Sequence, residues 1–402
     1  MNYFDIAQVS TIVNSIVQQM TGQTQQTVIA NAADFTAVAQ TLLQTGRDPI
    51  INAISQVFSR SIFSYRDYNA PLNDLYMDAP RWGNAVRKLS PVAMNAVDNQ
   101  EFTWPVAYDP TQTPPMGNGQ SVDHYKISKQ DVLQTNFYGS ATYAQRYTIF
   151  KDQFDVAFNS PEEFGRFTAM LAAERKNDRE SYKESLARGL QAVLIGAIID
   201  EADPLRVVHL LTEYNAATGL SLTDQTVYQP DNFAPFMRWA YARIAVLGRM
   251  FAQRSQAYQT VITGKTILRH TPARDLRIAI FAPVMEQMRS MVLSTTFNDE
   301  YLRQAVVEEV NFWQSMDDPS SINVVPVYTD TNGALKTATA AVVQDNIFGI
   351  VHDRAALGYS DVDNWAAVTP LNIDGGYWNE AHHTRFKSML DNTEKVAVLL
   401  LD

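Results

Sequence analysis

The feature that most constrains this fold is a long stretch in which nothing stops a helix. Ser160-Pro161-Glu162-Glu163 places an N-cap serine, a proline at the first helical position and a glutamate three residues after the cap. No proline or glycine pair then intervenes until Asp203-Pro204. The pattern predicts one helix from Pro161 to about Glu201, roughly 60 Å long at 1.5 Å per residue and longer than a compact domain needs. Its ends are core-like, with Phe164, Phe167, Met170 and Leu171 at one and Leu186, Leu190, Val193, Leu194 and Ile198 at the other. Between them, Glu174 to Ser185 is almost entirely charged or polar. Burying that middle within one domain would leave charges unpaired, so the expectation is a helix surface that is solvated or faces a partner, and an exposed surface in preference to a functional charge cluster. Ser160, Pro161, Glu163 and Tyr182 mark this helix.

The next constraint lies upstream. Phe102, Trp104, Val106 and Tyr108 alternate within Glu101 to Tyr108, and Tyr125 to Tyr138 reads as extended, around a tip holding Pro110, Pro114, Pro115, Gly117 and Gly119. The pattern predicts a long hairpin with an irregular tip. A two-stranded ribbon is marginal in water, so its aromatic face packs either within its own domain's sheet or on another surface. The candidate contact residues are Phe102, Trp104, Tyr108, Pro114, Pro115, Met116, Tyr125 and Phe137.

Around these two features the chain alternates irregularly. Helices are expected over Phe4 to Met20, Asp34 to Leu43 and Asp48 to about Ser64, followed by a loop over Tyr65 to Asn84. After a linker from Asn215 to Asp231, Phe236, Trp239, Ala240, Ile244, Leu247 and Phe251 give Phe233 to Ala252 an apolar helical stripe. Strands follow at Thr260 to Leu268 and Leu276 to Phe281, then helices at Val284 to Thr295 and Asp299 to Phe312. Further strands are expected at Ile322 to Tyr328, Ile347 to His352, Thr384 to Leu390 and Lys395 to Leu401. The last two would form a hairpin closed by Asp391-Asn392-Thr393-Glu394. The order implies an α+β architecture in place of regular βαβ winding.

Composition bounds the function. With 402 residues, 46% hydrophobic, the chain can bury a large core in two or three domains. A formal charge of −11 argues against the broad basic surface that sequence-independent nucleic-acid binding needs. There is no cysteine, which removes disulfides, thiolate metal sites and thiol nucleophiles. Met1 to Met20 does not read as a secretory signal, and no apolar run is long enough to span a membrane.

No chemistry-bearing motif holds together. Gly264-Lys265-Thr266 ends like a phosphate loop, but Gln259 stands where the first glycine is required, so a strand and turn is the better reading. His382 and His383 would point to opposite faces of a strand and cannot share a metal. There is no Gly-x-Ser-x-Gly elbow, and the carboxylate pairs Glu308-Glu309 and Asp317-Asp318 read as solvated. No catalytic residue, metal or cofactor is expected.

In their order, these elements resemble the Hong Kong 97 fold of tailed-phage major capsid proteins. Ile347 to Gly358, reading Ile-Phe-Gly-Ile-Val-His-Asp-Arg-Ala-Ala-Leu-Gly, and the closing stretch Trp378 to Leu401 are similar to head proteins of small podovirus-like phages. The resemblance implies an N-terminal arm over 1–67, a connection over 68–100, an extended loop over 101–150 and a spine helix with peripheral domain over 151–230. An axial domain over 231–345 and C-terminal strands over 346–402 complete it. It also implies a non-enzymatic protein that assembles with itself into pentamers and hexamers of a virion shell around double-stranded DNA, in the host cytoplasm and without membrane contact. A scaffolding protein, a portal and other head proteins would be its partners. The charge-poor arm points to a separate scaffold, and Lys126 and Lys129 in the hairpin have no marked acceptor for a cross-link. The alternatives are an encapsulin-like nanocompartment shell, which would hold a cargo enzyme, and an α+β hydrolase, which would be a small species with a deep pocket.

Overall fold

The computed structural model describes residues 85–94, 129–138, 140–152, 161–291 and 306–402, together with Leu75, Tyr125 and Ile127. The helices expected in the N-terminal arm, the strand at 101–108 and the proline-rich tip lie outside the described residues. In chain order, β1 (Ala85–Pro91), β2 (Val132–Tyr138) and β3 (Ala141–Phe150) precede α1 (Pro161–Glu201). Then come β4 (Val207–His209), α2 (Leu210–Thr218), α3 (Pro230–Ala252), β5 (Leu276–Phe281), α4 (Ala282–Met291) and β6 (Val306–Val310). The short strands β7 (Ile322–Val324), β8 (Val327–Thr329), β9 (Leu335–Thr337) and β10 (Val342–Gln344) lead to β11 (Ile347–Asp353), β12 (Leu357–Val368), β13 (Tyr377–Leu390) and β14 (Val396–Leu400).

The long helix runs over the range its sequence predicts. It ends where Ala202 turns into the left-handed region at φ 53° and Pro204 follows, which cannot continue a helix. Its C-terminal half packs on a five-stranded sheet of order β4-β14-β11-β5-β6. Ala279, Ile347, Ile350, Val396, Val398 and Leu400 face Leu194, Ile195 and Ile198 of α1. On the other face Ile278, Ile280, Phe348, Ala397 and Leu399 meet α2 and α3 through Leu211, Phe236, Leu247 and Phe251. Both faces of the sheet are covered, which is why β5, β11 and β14 read as nearly continuous apolar runs. Each fully buried Leu, Ile or Phe contributes about 1.5–3 kcal/mol.

A second sheet, β12-β13-β3, lies along the other half of α1. Two small ladders, β7 with β10 and β8 with β9, fill the stretch between β6 and β11. Gly196 of α1 permits their close approach, since a Cβ there would stand 2.6 Å from Val324 Cγ2.

Several expectations are corrected. The strand over Thr260 to Leu268 is an irregular connector, because Gln259 and Thr260 are drawn into buried hydrogen bonds and Gly264 turns the chain at φ 75°. The Gly-Lys-Thr stretch is therefore a plain turn. The helix expected to Phe312 is instead β6 in its described part, where β-branched Val306, Val307 and Val310 pair in parallel with β5. The strand at Ile322 to Tyr328 is split at Val325-Pro326, because proline offers no N–H to a ladder. The linker from Asn215 begins as the last turn of α2. β13 and β14 do not form a hairpin: they belong to different sheets, and residues 391–395 cross between them.

Candidate functional site

β2 is a strand of a ribbon, as expected. Among the described residues it pairs antiparallel with β1, from Ala85 opposite Tyr138 to Pro91 opposite Val132; the expected partner strand at 101–108 lies outside the described residues. β3, which the sequence reading placed in the same extended loop, pairs with β13 instead. Among the described residues the ribbon has only these two strands, and Leu89, 59% exposed, and Val132 leave apolar surface in water.

The ribbon narrows to a clamped neck. Val92 N donates to Asp131 O at 2.9 Å, Gln130 Nε2 to Val92 O at 3.1 Å, and Ala93 N to Thr266 O at 2.7 Å. Lys265 Nζ lies 3.3 Å from Asp131. Beneath the neck Lys88 forms ion pairs with both Asp391 and Glu394. Arg269 pairs with Glu394 and donates to Ser90 Oγ and Thr393 Oγ1 at 3.3 and 3.0 Å.

The carboxylates under the neck belong to a five-residue crossing, Asp391-Asn392-Thr393-Glu394-Lys395, every residue of which is buried. Burial pushes the Asp391 carboxyl up, but Lys88's charge and hydrogen bond outweigh it and hold the group below the usual carboxylate range. Asn392 Nδ2 donates to Glu201 Oε1 at 2.6 Å, Thr260 Oγ1 at 2.8 Å and Thr329 O at 2.8 Å, while its Oδ1 accepts from Thr329 N at 3.0 Å. Arg206 pairs with Glu201 and donates to Asn392 O at 2.9 Å. Burial lowers the Arg206 guanidinium and raises the Glu201 carboxyl, in each case against the attraction of the partner. Lys395 Nζ reaches Met250 O, Gln253 O and Ser255 Oγ at 3.4, 2.7 and 3.1 Å, satisfying carbonyls at the C-terminal end of α3. Burial brings its pKa down to about 8.

One crossing thus ties together the ribbon, the end of the spine helix, α3, β8 and both sheets. The sequence pattern predicts a hairpin turn here, because Asp-Asn-Thr-Glu has turn composition. The signal against that reading was Lys395 standing directly before the wholly apolar run Val396 to Leu401. Beside it, a cavity of about 320 Å³ lined by Asp200, Glu201, Arg206, Thr260, Tyr328 and Lys336 opens at the C-terminal end of α1. Its carboxylates are engaged: Asp200 pairs with Lys336 at 3.1 Å and accepts from the Tyr328 hydroxyl. The cavity pins the β8–β9 hairpin to the helix.

The middle of α1 keeps Glu174, Asp178, Ser181 and Ser185 exposed, as expected, but its other face is covered by the three-stranded sheet. Arg175 pairs with buried Glu380 and Arg179 with Asp361. Tyr147 Oη donates to Asp178 Oδ2 at 2.7 Å. Tyr182 packs against Tyr143 and Phe386, with ring centroids 4.1 and 5.5 Å apart. These two arginines are paired by carboxylates across the joint, whose positions were invisible in the sequence because they lie about 180 to 200 positions away.

Of the candidate contact residues, Phe102, Trp104, Tyr108, Pro114, Pro115, Met116 and Ser160 lie outside the described residues. Tyr125, with neighbouring Ile127, is 89% exposed, and Phe137 sits half-buried on β2 opposite Val86. Pro161 and Glu163 are in the first turn of α1, and Tyr182 is in its joint with the sheet. His382 and His383 do point to opposite faces of β13: His382 lies 2.6 Å from Glu380 on the helix side, and His383 stacks on Trp365. Among the described residues no cluster of His, Asp or Glu could hold a metal, and no helix is long and apolar enough to cross a membrane.

Residues 13–399 match the profile of the family described as Phi29-like phage major capsid protein. The chain belongs to that family. It is a structural protein of the phage head, and its α+β architecture is the Hong Kong 97 type. The capsid structure of Staphylococcus phage Andhra is similar in fold, with a TM-score of 0.52 and 9% identity over 83% of this chain and 84% of that one. A chain from the structure described as head fiber and inner core protein gp22 of native bacteriophage P68 gives a TM-score of 0.50 and 9% identity over 83% and 85%. A comparison with curated proteins found no match. In this Phi29-like capsid protein the ribbon, the spine helix and the buried crossing are parts of one shell subunit.

Proposed function

We propose that this capsid protein assembles with itself into pentamers and hexamers of a closed icosahedral head, guided by a separate scaffolding protein in the host cytoplasm, and that the head encloses double-stranded DNA. The observation that carries the reading is the ribbon. Leu89 and Val132 leave large apolar side chains in water on a two-stranded element whose neck is fixed to the body, and Tyr125 and Ile127, outside its strands, are exposed as well. Apolar surface presented from a rigid base gains by burial against a neighbour. Self-association through unlike faces closes into rings, and rings of five and six tile a shell.

Within that subunit, α1 with β12-β13-β3 serves as the peripheral domain and the five-stranded sheet with α2, α3 and α4 as the axial domain. Phe102, Trp104, Tyr108, Pro114, Pro115, Met116, Tyr125 and Phe137 are the proposed ribbon contacts, with aromatic anchors outweighing rim charges. The chain's net charge of −11 suits a wall that does not hold the genome fast.

Electron microscopy of the purified protein, alone and with its scaffold, tests this: hollow shells are expected, and native particles should hold nuclease-protected DNA. Trp104→Ala should leave the subunit folded and lower shell yield. A purely monomeric protein under all assembly conditions would overturn the reading, and particles holding a cargo enzyme without DNA would replace the head by a nanocompartment.

A further inference from the structure

The outer face of the three-stranded sheet and the loop after β6 are complementary. By register, Tyr377 stands opposite Phe150, Ala381 opposite Arg146 and Ala367, His383 opposite Ala144 and Trp365, and Arg385 opposite Thr142 and Asp363. These side chains share the face turned away from α1, since Glu380, His382 and Phe386 occupy the other. Trp365 stacks flat on His383 at 5.0 Å, Arg385 lies 5.6 Å from the Trp365 ring, and Arg146 is exposed in the neighbouring row. Neither Arg146 nor Arg385 has an ion-pair partner among the described residues. The result is an open platform of aromatic rings and two arginines, with Asp363 beside Arg385 at one edge and no carboxylate next to Arg146 in the described register; rings and guanidinium groups of this kind are enriched at interface centres.

The complement is residues 314–318. Met316 is 77% exposed and is followed by exposed Asp317 and Asp318, neither of which has an ion-pair partner among the described residues. The loop is held rigid at its base. Trp313 is fully buried with its indole N–H on Ile347 O at 3.1 Å, and Gln314 exchanges two hydrogen bonds with the Asn323 backbone. A fixed knob of one thioether and two carboxylates matches a platform of rings and guanidinium groups: sulfur–aromatic contact for Met316, charge-assisted bonds for the aspartates. Arg188 holds the knob's side of α1 through Phe312 O at 2.7 Å, whereas the platform faces away from that helix, so the two do not meet within one chain.

We infer that the 314–318 knob of one copy docks on the Trp365–His383–Arg385–Arg146 face of a second copy, forming a heterologous contact between neighbouring subunits. The inference rests on the shell reading and names one of its interfaces. Charge reversal tests it. Arg146→Glu and the double variant Asp317→Lys/Asp318→Lys, all at exposed positions, should each fold with wild-type melting behaviour. Each should lower shell yield by about tenfold or more, since like charges brought together at an interface are strongly unfavourable. Arg146→Glu mixed with Asp317→Lys/Asp318→Lys should assemble better than either alone. If wild-type chains make no shells, the shell reading itself fails. If wild-type shells form and both variants assemble equally well, or the mixture gains nothing over its parts, the docking proposal is overturned and the shell reading stands. Normal shells of Arg146→Glu that retain less DNA would put the genome on this face and likewise overturn it.

Discussion

Removing the Asn392 side chain should cost this subunit a large share of its stability. Its amide serves Glu201, Thr260 and both backbone groups of Thr329, at 2.6 to 3.0 Å, from a fully buried position. Asn392→Ala removes one bond to a carboxylate, about 1.5–3 kcal/mol, and leaves backbone groups of Thr329 short of partners at about 1 kcal/mol each. The expected loss is about 3–5 kcal/mol, set against a total of about 5–15 for a folded domain. Urea unfolding of unassembled subunits, followed by the fluorescence of buried Trp313 and Trp378, reads it directly. Asn392→Asp sharpens the test. It keeps the shape but sets a second carboxylate against Glu201, whose pKa burial already raises. One proton is then shared, the folded state binds more protons than the unfolded one, and stability should climb as pH falls from neutral toward the ordinary carboxylate range. An Asn392→Ala loss under about 1 kcal/mol, or an Asn392→Asp protein indifferent to pH, would refute the reasoning.

Other consequences can be checked in the same way. Gly196→Ala gains about 1 kcal/mol of helix propensity but presses on Val324 at a cost of about 1–3, so it should destabilise, and Val324→Ala should rescue it in a melting experiment. Arg175→Met removes the guanidinium partner of buried Glu380, leaving His382 beside it, and should cost about 3–5 kcal/mol, most of it recovered in Arg175→Met/Glu380→Leu. Lys395 titrates near 8 in the folded chain against an ordinary 10.5, so the unfolded state binds the extra proton in that window and stability contributed by this group rises with pH across it. Lys395→Met should remove that rise in alkaline unfolding curves.

The elements that were legible in sequence share a physical trait: their signals are local. The spine helix announces itself by Ser160-Pro161 and by the absence of breakers, and β5, β11 and β14 by apolar runs that only a sheet buried on both faces explains. Elements settled by distant partners were missed. β12 is interrupted by Ser360, Asp361, Asp363 and Asn364, of which Asp361 answers Arg179 on the helix, and β1, Ala-Val-Arg-Lys-Leu-Ser-Pro, is short and charged, with Lys88 answering Asp391 and Glu394. The ribbon was placed correctly at β2, but β1, its partner among the described residues, was missed. Alternation fixes which residues face together, but the match between two strands depends on a long intervening stretch the pattern does not measure. The buried crossing lost its character for the same reason, since all four of its charged clients lie far away in the chain.

The position of β14 in its sheet has a consequence for synthesis. It lies between β4 and β11, so the sheet's interior waits for a segment translated almost two hundred residues after β4. Until residue 400 has left the ribosome, β4 lacks its neighbour and the apolar surfaces of α1 and α3 have only β5 and β11, without β14, between them. An interrupted translation product would therefore carry an open seam through its centre, which makes completion of the polypeptide a condition for entering the particle.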